Sequence, residues 1–352
     1  MTNKKFVNAL GKIPQSVPPI WFMRQAGRYH SHYQNLKTKN TFVELCKSPS
    51  LAAETALGPI ESFDFDVAIL FSDILFPLES LGMGLTYSPG PKFDQLLTEE
   101  NSHEIFNNTF DVNSLAFQGE ALERTRAKLP QEKSLIGFIG GPWTLIAYAM
   151  GLNKSSKSLK VSNFQWKILK EIIIPALSEN IEMQINAGAE VVMIFDSSAH
   201  LLKNDDFKIY INLIFDQLIE KFEKKIGYYA KDKVDYDHIV SVAKTKNFGL
   251  AGLGVDSNEP LSKYFRDKKN FFIQGNFNEN FMLLPNSQMK LKLEEYISSL
   301  LKFNEKERAG WICGLGHGIL KETPEENVKT FIKEIREALS LIHISEPTRP
   351  LY

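Results

Sequence analysis

The sequence predicts an α/β fold, a (β/α)₈ barrel, and two observations carry that reading. Eight short apolar runs recur along the chain, with stretches of helical patterning between them. Most of the runs are nearly continuous in apolar character, as strands are when both faces of a parallel sheet are covered. The count of eight favours the barrel over a doubly wound sheet, the competing architecture. A chain of 352 residues suits one large domain or two ordinary ones.

Taken in order, the N-terminal "MTNKKFVNALGKIPQ" lacks the apolar stretch of a signal peptide. "PPIWFM" (18–23) is the first strand-like run, and "RQAGRYH" follows it. Arg24 and Arg28 are four residues apart, so on a helix they would share one face and repel by a few tenths of a kcal/mol. Gly27 costs about 1 kcal/mol against alanine in a helix. Two cations directly after a buried strand therefore point to an anion arriving there. "SPSLAAETALGPIESF" is helical, with Ser48 as N-cap, Pro49 at the first helical position and Glu54 in the early turns. "DVAILFS" (66–72) is the second run and leads to Asp73. "GMGLTYSPGPKF" (82–93) has the glycine and proline of a hairpin or irregular turn.

"LIGFIG" (135–140) leads into "GGPWTLIAY" and Tyr148, and the polar, basic "GLNKSSKSLK" (151–160) reads as a mobile flap. "EVVMIFDS" (190–197) ends in Asp196 and Ser197. "KIGYYAK" (225–231), "GLAGLGVD" (249–256) and "FFIQGN" (271–276) are the next three runs. "GWICGLGHG" (310–318) holds His317 between Gly316 and Gly318. "TPEENVKTFIKEIREAL" is a helix in which Thr323, Pro324 and Glu326 read as a capping box. "SLIHISEPTRPLY" (340–352) has no packing pattern and reads as a poorly ordered tail.

Composition narrows the function. Charged residues make up 24% of the chain and the net charge is −1, so no bulk attraction to nucleic acid or anionic membrane is expected. Anion binding must come from a few placed residues. The two cysteines, Cys46 and Cys313, are too few for a disulfide framework and fit a reducing cytosol. No apolar run reaches the roughly 18 to 20 residues of a membrane span. A cytoplasmic globular protein is the expectation.

Barrel active sites lie in the loops after the strands. That rule gathers Arg24, Arg28, Asp73, Tyr148, Ser197 and His317 at one mouth. Each has a plainer alternative. The arginines could be a solvated pair, Asp73 and Ser197 could be helix caps, and Tyr148 could be core with a satisfied hydroxyl. His317 is harder to explain away, because flanking glycines admit a backbone or ligand closely. Cys313 reads as a small core residue. "GLGHG" lacks the spacing of a dinucleotide loop, and the chain has no phosphate loop, C-x-x-C or H-E-x-x-H.

On these residues the chain resembles the uroporphyrinogen decarboxylase family of haem biosynthesis, over about residues 10 to 338. "WFMRQAGRY", "AILFSDIL", "GFIGGPWTL", "IQGN" and "GLGHGIL…TPEENV" match family segments in order. The resemblance implies a single-domain, distorted (β/α)₈ TIM barrel over 1–340, with 341–352 as a disordered or non-native tail. It implies a homodimer with no metal and no organic cofactor. The implied reaction removes carboxyl groups from the four acetate side chains of uroporphyrinogen III, giving coproporphyrinogen III and carbon dioxide. The implied substrate-binding residues are Arg24, Gln25, Arg28, Asp73, Tyr148, Ser197 and His317, with Asp73, Arg24 and Arg28 catalytic.

The chemistry suits them. Guanidinium forks answer substrate carboxylates, and one carboxylate can accept from several pyrrole N–H groups. The chain departs from the family at His30-Ser31-His32, where Leu-Pro-Glu is usual, and at Ser198-Ala199-His200, where Trp-Ala-Gly is frequent. It also has Gly314 where asparagine is favoured, and these departures are expected to ring the pocket. Two rival readings stand beside the enzyme. One is a zinc methyltransferase on a related barrel, for which the chain lacks His-x-Cys. The other is a tetrapyrrole-binding protein without catalysis.

Overall fold

The computed structural model describes residues 3–87, 90–106, 110–152, 160–232, 234–246, 249–266 and 270–340. In chain order the strands are β1 (Val67–Ile69), β2 (Leu85–Tyr87), β3 (Pro91–Phe93), β4 (Ser134–Gly140), β5 (Val192–Asp196), β6 (Ile226–Ala230), β7 (Gly252–Gly254), β8 (Phe272–Phe277) and β9 (Trp311–Leu315). Seven of them form one parallel sheet in the order β1-β4-β5-β6-β7-β8-β9. The order follows the chain without reversing, so the sheet is wound in one direction and is not doubly wound. β2 and β3 pair as an antiparallel hairpin with Leu85 opposite Phe93, as the glycines and prolines there predict.

The first apolar run, 18–23, is not a full strand. It makes a single parallel bridge, Ile20 to Cys313. Trp21 N donates to Cys313 O and Cys313 N to Pro19 O, each at 2.9 Å, while Asp66 N donates to Ile20 O at 3.1 Å. The segment thus bonds to β9 on one side and to the residue before β1 on the other. Its ladder is short for a covalent reason: Pro18 and Pro19 carry no N–H. The Ile20 N–H goes to the Asp66 carboxylate at 2.8 Å rather than to a strand carbonyl.

Strand side chains alternate between two apolar cores, the period-2 signature of a sheet covered on both faces. Ile20, Phe22, Leu135, Val192 and Ile194 pack toward the helices. Trp21, Met23, Ile136, Met193, Phe272 and Ile312 pack on the opposite face. Helix Lys4–Gly11 closes that second core, with the Phe6 ring 6.3 Å from that of Phe272. Cys46 and Cys313 are buried free thiols, Cys313 in the core as expected.

Helix Pro49–Phe63 begins on its proline with Ser48 at the N-cap position, although the serine side chain makes no cap bond. The last helix, Glu325–Ser340, starts two residues beyond the expected cap. Thr323 is buried with an unpartnered hydroxyl, so the capping box does not form. Glu325 instead accepts the Ser31 amide at 2.5 Å, joining the last helix to the loop after Arg28. No helix among the described residues is long and apolar enough to cross a membrane. Ser340, expected as the first residue of the tail, closes the last helix, and residues 341–352 of that tail and 153–159 of the expected flap lie outside the described residues.

Candidate active site

The singled-out residues follow the C-terminal ends of the strands. Asp73 lies four residues past β1, Ser197 directly after β5, and Tyr148 on the last turn of helix Pro142–Ala149, which follows β4. His317 is two residues past β9, in the loop and not inside the strand as the apolar run suggested.

Arg24 reaches the surface, and its Nη2 donates to the Ile319 carbonyl at 2.8 Å. Its stem lies over Gly318, where an added Cβ would sit 3.0 Å from the Arg24 Cβ. That is the close approach the glycines beside His317 were read to permit. Desolvation of its guanidinium lowers the Arg24 pKa although the side chain reaches solvent, and the neighbouring Arg28 lowers it further. The two cations therefore share one environment that an anion would relieve. Gln25 points elsewhere. It is buried, its Nε2 donates to the Val67 carbonyl at 2.8 Å, and its oxygen has no protein partner among the described residues. It ties the arginine loop to β1.

Asp73 is partly buried, and its Oδ1 accepts the Leu75 amide at 2.9 Å, just before helix Phe76–Ser80. One oxygen thus closes a turn, as the plainer reading of this residue expected. Burial raises its pKa, opposed by the Leu75 amide and by Tyr87. The charge of Asp73 reaches three neighbours: after burial itself, it raises the pKa of Cys46, Tyr87 and Tyr148. Tyr148 is 38% exposed, so it is not ordinary core, and burial and then the charge of Asp73 raise its pKa. Burial and then Cys46 raise the Tyr33 pKa, while Arg28 lowers it.

The Ser197 carbonyl is 3.1 Å from His200 Nδ1. Ser198, not Ser197, occupies the N-cap position of the short 3-10 turn Ala199–Leu201. His317 Nδ1 is 3.0 Å from the Gly318 carbonyl. A carbonyl only accepts, so Nδ1 carries the proton, and Nε2 would donate to a carboxylate only in the imidazolium form.

Sequence reasoning missed Tyr87. The hairpin was foreseen, but not its position over Asp73, which is a tertiary fact. The Tyr87 ring packs at 5.0 Å on Phe42, and its hydroxyl is buried beside Asp73 without the geometry of a formed hydrogen bond. The departures do not all ring the mouth. His30 faces helix Pro49–Phe63, with Nε2 3.0 Å from Ser62 Oγ and its ring 4.9 Å from that of Phe63. The His32 ring lies against Gly58 of the same helix. His200 does sit beside Ser197, with Nδ1 3.8 Å from Asp232.

A depression of about 400 Å³, lined by Glu61, Asp64, Lys329, Lys333, Arg336 and Glu337, lies between two outer helices and shares no residue with this mouth. Among the described residues no three His, Cys, Asp or Glu side chains are grouped to hold a metal ion.

A parallel sheet wound in one direction, with polar side chains beyond the C-terminal ends of its strands, is the layout of barrel-like α/β enzymes. The relatives narrow this. A profile of the uroporphyrinogen decarboxylase family matches residues 1–338. The uroporphyrinogen decarboxylase of Orientia tsutsugamushi (strain Ikeda) is 37% identical over 353 residues, covering 94% of this chain and 98% of its own. That of Helicobacter hepaticus is 36% identical over 356 residues, covering 94% of this chain and 98% of its own. Among solved structures, a methyltransferase from Methanosarcina mazei superposes with a TM-score of 0.68 at 19% identity, over 95% of this chain and 98% of its own. At that identity the likeness is one of fold. The chain belongs to the uroporphyrinogen decarboxylase family.

Proposed function

We propose that this chain is a carboxy-lyase that converts uroporphyrinogen III to coproporphyrinogen III, releasing carbon dioxide from the four acetate side chains. Family membership supports the reaction. The observation that carries the site is Asp73, a desolvated carboxyl past β1 whose charge reaches Tyr148. An ionised carboxylate is acceptor-only, so Asp73 takes the pyrrole N–H groups at the centre of the macrocycle. Protonation of the pyrrole α-carbon next to the one that bears the acetate makes the ring cationic. The C–C bond to the carboxylate then breaks, its electron pair passes into the ring, and carbon dioxide leaves. A second proton converts the resulting exocyclic methylene to methyl as the ring carbon gives up its own. Asp73 stabilises the cation electrostatically. Arg24, Arg28 or a water they orient handles the proton. Arginine is a weak acid, which favours the water.

Arg24, Arg28, Tyr148, Ser197 and His317 seat the substrate's carboxylates, and Gln25 serves through the loop it anchors. The reading includes a cytoplasmic homodimer without a cofactor, one domain over 1–340, and 18–23 as the eighth stave of a distorted barrel. The alternation of Trp21 and Met23 with Ile20 and Phe22 supports that last point.

The test is anaerobic incubation with uroporphyrinogen III, without added metal or cofactor, followed by chromatography of the oxidised products. A ladder from eight carboxyl groups to four is expected. An unchanged octacarboxylate held by folded protein would leave a binding protein instead.

A further inference from the structure

Asp196 is fully buried and has no part in the chemistry above. Its carboxylate accepts from the Thr144 amide at 3.1 Å, the Thr144 hydroxyl at 2.6 Å, the Tyr210 hydroxyl at 2.5 Å and the Tyr228 hydroxyl at 3.1 Å. An ionised carboxylate has about four lone-pair sites, so Asp196 is saturated by protein and has no capacity for a ligand. Its importance lies in what it holds.

Thr144 is the third residue of helix Pro142–Ala149, and its hydroxyl, while donating to Asp196, accepts the Ser198 amide at 3.0 Å. The Tyr210 hydroxyl, while donating to Asp196, accepts the Trp143 amide at 3.1 Å. First-turn amides have no partner within their own helix, and here one carboxylate closes two of them, directly or through Tyr210. Negative charge at a helix N-terminus is also favourable. Tyr148 stands one turn further along the same helix, and Ser197 lies between Asp196 and Ser198 in the chain.

We propose that Asp196, acting through Thr144, is a positioning residue that fixes Tyr148 relative to Ser197 and so sets how substrate carboxylates are seated. This rests on the reading of Tyr148 and Ser197 as substrate contacts. Tyr228 supplies the contrast. It bonds the same carboxylate from β6, yet its bond leads to neither Tyr148 nor Ser197. Thr144→Val and Tyr228→Phe each delete one hydroxyl bond to Asp196, and only the first releases Ser198.

The experiment compares the full chain with Thr144→Val, Thr144→Ser and Tyr228→Phe, reading KM, kcat and amide exchange at Ser198. Thr144→Val should raise KM about tenfold with kcat within about twofold, the size of one lost hydrogen bond expressed in substrate seating. Thr144→Ser should restore KM, and Tyr228→Phe should lose thermal stability while keeping KM. Ser198 should be protected in the parent chain and exposed in Thr144→Val. Equal KM shifts in Thr144→Val and Tyr228→Phe would overturn the proposal, as would an unprotected Ser198 in the parent chain, which needs no variant to fold. A parent chain that releases no carbon dioxide would sink the functional reading, and with it the seating role. Ser198 exchange would still show whether the clamp itself exists.

Discussion

Ile20 and Asp66 are bonded to each other twice. The Ile20 amide donates to the Asp66 carboxylate at 2.8 Å, and the Asp66 amide donates to the Ile20 carbonyl at 3.1 Å. Lys5 at 3.2 Å and Arg336 at 3.5 Å neutralise the buried carboxylate. This side chain completes the edge that two prolines leave without donors. Asp66→Ala strands the Ile20 amide, while Arg336 keeps Asp64 and Lys5 reaches solvent, so a loss of roughly 1–3 kcal/mol is expected. Denaturant unfolding checks it. A loss below about 1 kcal/mol would mean the segment is held by its apolar alternation alone.

Asp73 has a folded-state pKa above its unfolded value, chiefly through burial. Its contribution to stability is therefore fully present below the unfolded pKa and lost as pH rises through the folded one. At neutral pH the ionised carboxyl burdens the fold. Asp73→Asn should accordingly keep or raise the melting temperature at pH 7 while lowering kcat by about a thousandfold, the scale of a deleted electrostatic stabiliser. A variant that melts lower and still turns over would remove Asp73 from the mechanism.

Tyr87 pulls the Asp73 pKa down, against burial. Tyr87→Phe removes that pull and leaves the ring packing on Phe42 and Phe76. The acidic limb of the kcat/KM profile, where Asp73 protonates, should move to higher pH. An unmoved limb would show that Asp73 does not set it.

Arg24 gives Nη2 to the Ile319 carbonyl, leaving the rest of its fork for an anion. Lysine keeps the charge but not the planar pair of donors. Arg24→Lys should raise KM for uroporphyrinogen roughly tenfold, and unchanged kinetics would argue that no carboxylate docks there.

The strands were legible where apolar runs were unbroken, because burial on both faces writes itself into composition. The run 18–23 misled because its apolar content said strand while Pro18 and Pro19 removed the donors a ladder needs. The cap at Thr323 misled because the motif matched while the helix began at Glu325. Strand-end position pointed to Asp73, Tyr148 and Ser197, which do follow β1, β4 and β5. It could not find Tyr87 or Thr144, whose roles depend on a hairpin folding over and on a hydroxyl bonding two partners at once.

Gly314 departs from the asparagine favoured by the family, and the structure shows what that position now contains. An added Cβ would lie 2.2 Å from the Trp21 carbonyl oxygen and 2.5 Å from Gln274 Nε2. The glutamine could swing aside, although it would give up its 3.2 Å bond to the Leu315 carbonyl. The Trp21 oxygen is backbone, in the segment that bonds β9, and cannot move alone. Gly314→Asn should therefore push 18–23 away from Cys313 and cost about 2 kcal/mol, within the range for overpacking. It should also raise KM, because Arg24 follows that segment directly. Thermal unfolding and substrate kinetics on the same variant check both effects, and a neutral result in each would mean that the 18–23 segment tolerates displacement.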